Sequence, residues 1–185
     1  MELSFQGWRS LTALCLLLAT TVARADPQEG FGLAIGPTFH HSHEVINPGS
    51  GQTTLNFNSA GMGLSGDAQF VLDSQWSANP FVQLSAETAS GDTKSHLGND
   101  QAGLAIRRWY GDWYLAPILE ISDEQIYTGR TISRSTFGPG LGVGLGWESP
   151  TGLTLGLQLD APQVLNFNAN DLHAGTWLTV GYRWH

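Results

Sequence analysis

This chain of 185 residues contains a single cysteine, Cys15, which lies in an apolar segment near the N-terminus. That segment, residues 11–23, has the length of a signal-peptide core and leads into a small-x-small cleavage pattern at residues 23–25. We therefore expect residues 1–25 to be a signal peptide and residues 26–185 to form one domain. The expected mature chain then has no cysteine, which excludes disulfides and thiol nucleophiles.

Basic residues are also scarce. Once residues 1–25 are removed, six Lys and Arg stand against fifteen Asp and Glu, a net charge of about −9. Proteins that bind nucleic acid carry a basic stripe or patch. The charge balance therefore excludes nucleic acid as the expected partner.

Helical periodicity is absent from the mature chain, and alternation with period two replaces it. In residues 137–148, FGPGLGVGLGWE, glycine occupies one parity while Leu141, Val143 and Leu145 occupy the other. Comparable alternation of apolar with small or polar residues occurs in eight segments along the chain. The sequence therefore predicts eight β-strands.

The predicted connections between these strands alternate in length. Tight turns are expected at residues 73–75, 111–112 and 148–152, and long polar loops at 42–54, 89–99, 123–135 and 161–172. Short turns at one end and long loops at the other are typical of an up-and-down barrel in an outer membrane.

Aromatic residues cluster beside the short turns, as in a membrane-interface girdle. Its predicted members are Trp76, Trp109, Tyr110, Trp113, Trp147, Tyr182 and Trp184. The non-apolar strand face is mostly glycine, alanine and threonine, with little charge for contact with water, so we expect it inside a narrow barrel. Leu141 and Leu155 are then expected to face lipid near mid-membrane. The prediction is an all-β, eight-stranded antiparallel up-and-down transmembrane β-barrel; a soluble periplasmic barrel is the alternative.

The signal peptide, the eight alternating segments and the aromatic-rich final segment GTWLTVGYRWH resemble the small outer-membrane barrels of the OmpX/Ail and OmpA-barrel type. The resemblance implies a monomer integral to the cell outer membrane, with both termini in the periplasm. It also implies contact with outer-membrane lipid and lipopolysaccharide, and assembly by the barrel-insertion machinery through the last strand. Tyr182 and Trp184 are similar to the spaced aromatics of that assembly signal.

Six charged residues occupy alternate strand positions that are predicted to face the lumen. They are Asp67, Glu87, Arg107, Glu120, Asp160 and Arg183. A buried charge persists there only if it is paired or hydrogen-bonded. A polar network that plugs the barrel is the expected arrangement. A lumenal path for protons or small ions, and hence a narrow pore, is the alternative.

Five histidines map to the predicted outer end of the barrel: His40, His41, His43, His96 and His173. Imidazoles with nearby carboxylates from several loops can bind zinc, copper or nickel, so a divalent metal site at the loops is one hypothesis. Parity directs His40 and His173 inward and His41 outward, which opposes convergence of all five. No other cofactor is expected.

An enzymatic reading rests on His40, Ser42 and Glu44, because barrels that modify lipid A use a histidine with a serine and an acidic residue. In the deacylase barrels that pair lies on the lipid-facing wall, whereas His40 and Ser42 share the inward parity. We therefore expect no enzyme, but a structural or surface-interaction protein that acts through four extracellular loops. The basic loop residues Lys94, Arg130 and Arg134 are expected to contact lipopolysaccharide phosphates.

Overall fold

The structure, a computed structural model, describes residues 27–46, 53–91, 96–128, 131–165 and 172–185, so the expected signal peptide lies outside it. Eight antiparallel strands follow one another around a closed barrel, and the last pairs with the first. The strands are β1 (Gly30–Ile46), β2 (Thr53–Val71), β3 (Trp76–Gly91), β4 (His96–Tyr110), β5 (Trp113–Thr128), β6 (Thr131–Glu148), β7 (Leu153–Ala161) and β8 (Leu172–Trp184). Within the described ranges, no helix has the length and apolarity needed to cross a membrane. The predicted fold class is confirmed.

The apolar strand faces point outward. On β6, Leu141, Val143 and Leu145 are 44%, 43% and 45% exposed, and the outward positions of the other strands form the same belt. A soluble barrel would bury these side chains, whereas a lipid-facing wall exposes them to acyl chains. The barrel is therefore inside-out relative to a soluble one, as the alternation predicts.

Close packing across the lumen explains the glycines on the inner face. A Cβ added to Gly63 would overlap the ring of Trp177, and one added to Gly146 would overlap the ring of Tyr114. Trp177 is only 1% exposed. An eight-stranded barrel has an interior just wide enough for side chains to fill, so large residues on one wall require glycine opposite or beside them.

The tight turns lie where the sequence predicts them, and Gly111 and Gly152 supply positive φ angles of 68° and 92° in two of them. Three predicted loops are too long, because β1 continues to Ile46, β3 to Gly91 and β5 to Thr128. Backbone pairing does not require apolar side chains, so these strands continue past the end of the apolar belt with polar residues. Only the segment after β7 matches its predicted loop closely.

The outward aromatics at the end of the barrel with the short turns include Tyr110, Trp113, Tyr182 and Trp184, which are 44–55% exposed. Trp76 and Trp147 are half-buried at the same end. Trp109 is a correction to the predicted girdle: it is 6% exposed and its Nε1 donates to Ser77 Oγ at 2.9 Å inside the barrel. Its position near the turn suggested a girdle residue, but it shares the inward parity of Arg107.

Candidate functional site: the lumen and the outer rim

An ion-pair network closes the lumen at the end of the barrel that carries the short turns. Arg183, 2% exposed, contacts Asp67 Oδ2 at 2.7 Å through Nη2 and Glu148 Oε2 at 2.9 Å through Nε. Arg107 Nη2 contacts the same Asp67 oxygen at 2.9 Å. The two arginines thus share one carboxylate. Sequence parity identified three of these four residues, but Glu148 was assigned to a turn and missed.

Neutral groups extend this lower network. Asn79 Nδ2 donates to Asp67 Oδ2 at 3.1 Å and to Gln69 Oε1 at 3.0 Å, and Arg107 Nη1 donates to that same Gln69 oxygen at 3.0 Å. The Arg107 guanidinium lies 4.3 Å from the centre of the Tyr114 ring. With two arginines, Arg107 and Arg183, against two carboxylates, Asp67 and Glu148, the lower lumen is a charge-balanced plug.

In the nearby β4–β5 turn, outside the spanning strands, burial raises the pKa of the Asp112 carboxyl.

Above the plug lies a cavity of about 80 Å³, lined by polar and apolar side chains that include Gln83, Ile118 and Thr179. Gln83 Nε2 donates to Gln158 Oε1 at 3.1 Å directly across the barrel. Trp177 fills the space beside this bridge. The cavity has room for a few water molecules but is interrupted above and below by side chains.

An imidazole and several carboxylates occupy the next level. His40 Nδ1 lies 2.7 Å from Glu87 Oε1, and Glu87 also accepts hydrogen bonds from Ser59 and Ser85. Asp160 Oδ2 accepts from Gln101 Nε2 at 3.0 Å. Glu120 is 1% exposed, and neither of its carboxyl oxygens has a hydrogen-bond partner among the described residues.

The mouth of the lumen opposite the short turns combines a second acid–imidazole pair with an apolar cluster. His173 Nδ1 lies 2.9 Å from Glu124 Oε2 and 3.0 Å from Ser42 Oγ. Across the mouth, buried side chains of β2, β3 and β4 pack with a residue of β5: Phe57, Ala89, Leu97 and Ile126. Both groups are built from the strand ends beyond the level of His40 and Glu87.

The structure does not bring the five predicted metal ligands together. His40 and His173 lie inside, whereas His41 Nδ1 lies 2.8 Å from Asn58 Oδ1 and His43 Nδ1 lies 2.6 Å from Asn56 Oδ1 on the outer wall. His96 is exposed on β4. In the part of the chain that the structure describes, no three His, Cys, Asp or Glu side chains are grouped to hold a metal ion. A metal site that uses the loops stays a prediction.

Ser42, His173 and Glu124 come from β1, β8 and β5, and sequence spacing did not reveal this group. The shared inward parity at the outer ends of three strands was the only available signal. In nucleophilic catalysis, the serine contacts one imidazole nitrogen and the acid orients the other. Here both contacts fall on Nδ1, and Ser42 is 1% exposed. The arrangement is therefore suited to holding the mouth closed and does not match an activated serine.

Comparison with known proteins supports the fold. No model of a known protein family matches this chain, and a search of curated proteins also finds no match. Among solved structures, Ail, the attachment invasion locus protein of Yersinia pestis, is similar with a TM-score of 0.57 at 12% identity, covering 85% of this chain and 100% of that one. Its complex with the heparin analogue sucrose octasulfate gives a TM-score of 0.59 at 13% identity, with coverage of 85% and 100%.

Neisserial surface protein A is similar with a TM-score of 0.51 at 15% identity, covering 83% of this chain and 95% of that one. Identities this low establish the shared fold and nothing finer. The chain thus has the fold of the small eight-stranded outer-membrane barrels of Gram-negative bacteria.

Proposed function

We propose that this protein is an integral outer-membrane barrel without catalytic activity, which serves a structural or surface-interaction role through its four extracellular loops. The observation that carries the proposal is the occlusion of the lumen. Side chains from all walls fill it, and its internal cavity of about 80 Å³ ends at the Gln83–Gln158 bridge above and at the arginine plug below.

An occluded lumen supports a role at the surface because it offers no continuous aqueous route. Wide aqueous channels occur in barrels with many more strands. Planar-bilayer recording is expected to give no large, steady conductance steps from the folded protein. Such steps would oppose the proposal and favour the narrow-pore alternative.

The proposed partners are the lipids around the belt and the lipopolysaccharide of the outer leaflet. The outward faces of β1 and β2 change from apolar residues to His41, His43, Asn56 and Asn58 at the outer end. This polar band is suited to sugars and headgroups. The predicted phosphate contacts, Lys94, Arg130 and Arg134, lie outside the residues whose side chains are described. We further propose assembly through β8 by the barrel-insertion machinery, a monomeric state and periplasmic termini.

The neighbouring Ail structure with a heparin analogue supports a test of anionic glycans as well as lipopolysaccharide. The test compares the full barrel with a variant whose segments 47–52, 92–95, 129–130 and 166–171 are replaced by short turns. Both proteins are refolded in vesicles with and without lipopolysaccharide, and folding is checked by gel mobility before and after boiling. We expect both to fold and only the full barrel to bind lipopolysaccharide or heparin. Equal binding by the trimmed barrel would refute a role for the loops.

A further inference from the structure

The upper lumen contains more acidic than basic groups. Its titratable residues, which we call the upper tier, are His40, Glu87, Glu120, Glu124, Asp160 and His173, all buried. The arginines with described side chains, Arg107, Arg108 and Arg183, all lie toward the periplasmic end. Four carboxylates therefore share the tier with two imidazoles. Even with both imidazoles protonated, two negative charges would lack a cationic partner among the described residues.

Two of the carboxylates already have imidazole partners. Glu87 lies 2.7 Å from His40 and Glu124 lies 2.9 Å from His173. Asp160 has no such partner, but Gln101 and Gln158 donate to its Oδ2 at 3.0 and 3.4 Å. Amide donors of this kind stabilise an ionised carboxylate.

Glu120 differs from the other three. It is 1% exposed, and neither oxygen has a hydrogen-bond donor in the described part of the chain. Its Oε1 lies at the backbone of Gly140, where an added Cβ would stand 2.9 Å from it. An ionised carboxylate without a donor is costly in such a place, whereas the neutral acid is tolerated.

The surroundings of Glu120 also oppose a negative charge. The other titratable groups of the upper tier are His40 of β1, Glu87 of β3, Glu124 of its own strand, Asp160 of β7 and His173 of β8. Its cross-strand neighbours on β4 and β6 are the neutral residues Gly103 and Gly140. Both imidazoles are already paired with other carboxylates, so no cation remains for Glu120.

We propose that the upper tier is a proton-binding site in which Glu120 carries a proton at neutral pH beside Asp160, and that loss of this proton destabilises the barrel. The proton takes the place of the missing cationic side chain. The apolar cluster of Phe57, Ala89, Leu97 and Ile126 borders the tier and limits the access of water that could compensate the charge.

The sign of the pH dependence follows from linkage. If the folded barrel holds a proton that the unfolded chain releases, the folded state binds more protons, and its stability falls as pH rises. The fall begins above the ordinary glutamic acid range near pH 4.3. One such proton raises the unfolding equilibrium constant by at most about tenfold for each pH unit.

The test measures urea unfolding of the refolded full barrel in vesicles from mildly acidic to alkaline pH, with wild type, Glu120→Gln and Glu120→Leu. Glu29→Gln, which removes an exposed carboxylate outside the tier, is the matched control. Wild type and the control should lose stability as pH rises, and the two neutral variants should lose this dependence. An equal pH dependence in all four proteins, or failure of both neutral variants to fold, would overturn the proposal.

Infrared difference spectroscopy checks the proton directly. At neutral pH, the wild-type barrel should show the C=O stretch of a protonated, non-hydrated carboxyl group, and Glu120→Gln should lack it. The measurement is repeated after treatment with a chelator and after addition of zinc or magnesium. If the band is absent from wild type, or if stability follows the metal and not pH, the site does not hold a proton.

Discussion

Replacement of Leu141 by arginine tests the inside-out arrangement of the barrel most directly. Leu141 is 44% exposed on the outer face of β6, and its cross-strand partners, Leu119 and Ala161, are also apolar. An arginine placed there would project into acyl chains with no acidic side chain directly opposite.

The depth of Leu141 follows from the strand geometry. Each strand residue rises about 3.4 Å, and strands tilt by about 40°, so each advances about 2.6 Å along the membrane normal. Leu141 lies six positions from Trp147 of the girdle, or about 16 Å, and the apolar band is about 25 Å tall. The midplane therefore falls between Val143 and Leu141, and Leu141→Arg should cost about 2–4 kcal/mol.

Leu155 serves as the comparison. The sequence placed it near mid-membrane, but it pairs directly with Trp147 and lies two positions from the start of β7, so it is close to the girdle. Charged substitutions near the interface cost only about 0–1 kcal/mol. We therefore expect Leu155→Arg to cost clearly less than Leu141→Arg, although the two leucines have equal exposure.

The assay is reversible urea unfolding in phospholipid vesicles, followed by tryptophan fluorescence. The midpoint should shift while the slope stays constant, since the surface exposed on unfolding is unchanged. The reasoning is refuted if Leu141→Arg is tolerated like an exposed surface change, or if Leu155→Arg costs as much as Leu141→Arg.

Two further predictions concern the inner face. Arg183→Met should destabilise the barrel by about 3–5 kcal/mol, because it leaves the buried Glu148 carboxylate without its arginine and Asp67 with Arg107 alone. A loss under 1 kcal/mol in the same urea assay would contradict the plug. Gly36→Ala should cost about 1–3 kcal/mol by overpacking, because its Cβ would overlap the Leu178 carbonyl group. Gly144→Ala is the matched control on the same face, since its Cβ would make an ordinary contact of 3.4 Å with Ile118, and equal losses would refute the packing argument.

The sequence predicted the strand number, the turns and the facing of most residues because period two is a property of each strand alone. The same alternation correctly predicted that Asp67, Arg107 and Arg183 point into the lumen. The partners could not be predicted, since they depend on how eight strands are staggered around the barrel. Ser42 and His173 meet from opposite ends of the chain, and His40 meets Glu87 two strands away.

Two local misreadings have the same physical origin. Trp109 was predicted to belong to the girdle because it lies beside a short turn. Whether a residue faces lipid or the lumen depends instead on which of the two alternating sets of strand positions it belongs to. Glu148 was assigned to a turn by its neighbours, although a side chain at a strand end can reach inward to Arg183.

The glycines that receive Trp177 and Tyr114 have a consequence for how such a sequence can change. Strand number sets the interior volume, so a side chain gained on one wall must be matched by atoms lost on another. We therefore expect two pairs of positions to change together in evolution: Gly63 with Trp177, and Gly146 with Tyr114. Among related sequences, a larger residue at position 63 or 146 should accompany a smaller residue at position 177 or 114, respectively. Such covariation would reflect the fixed interior volume of the barrel.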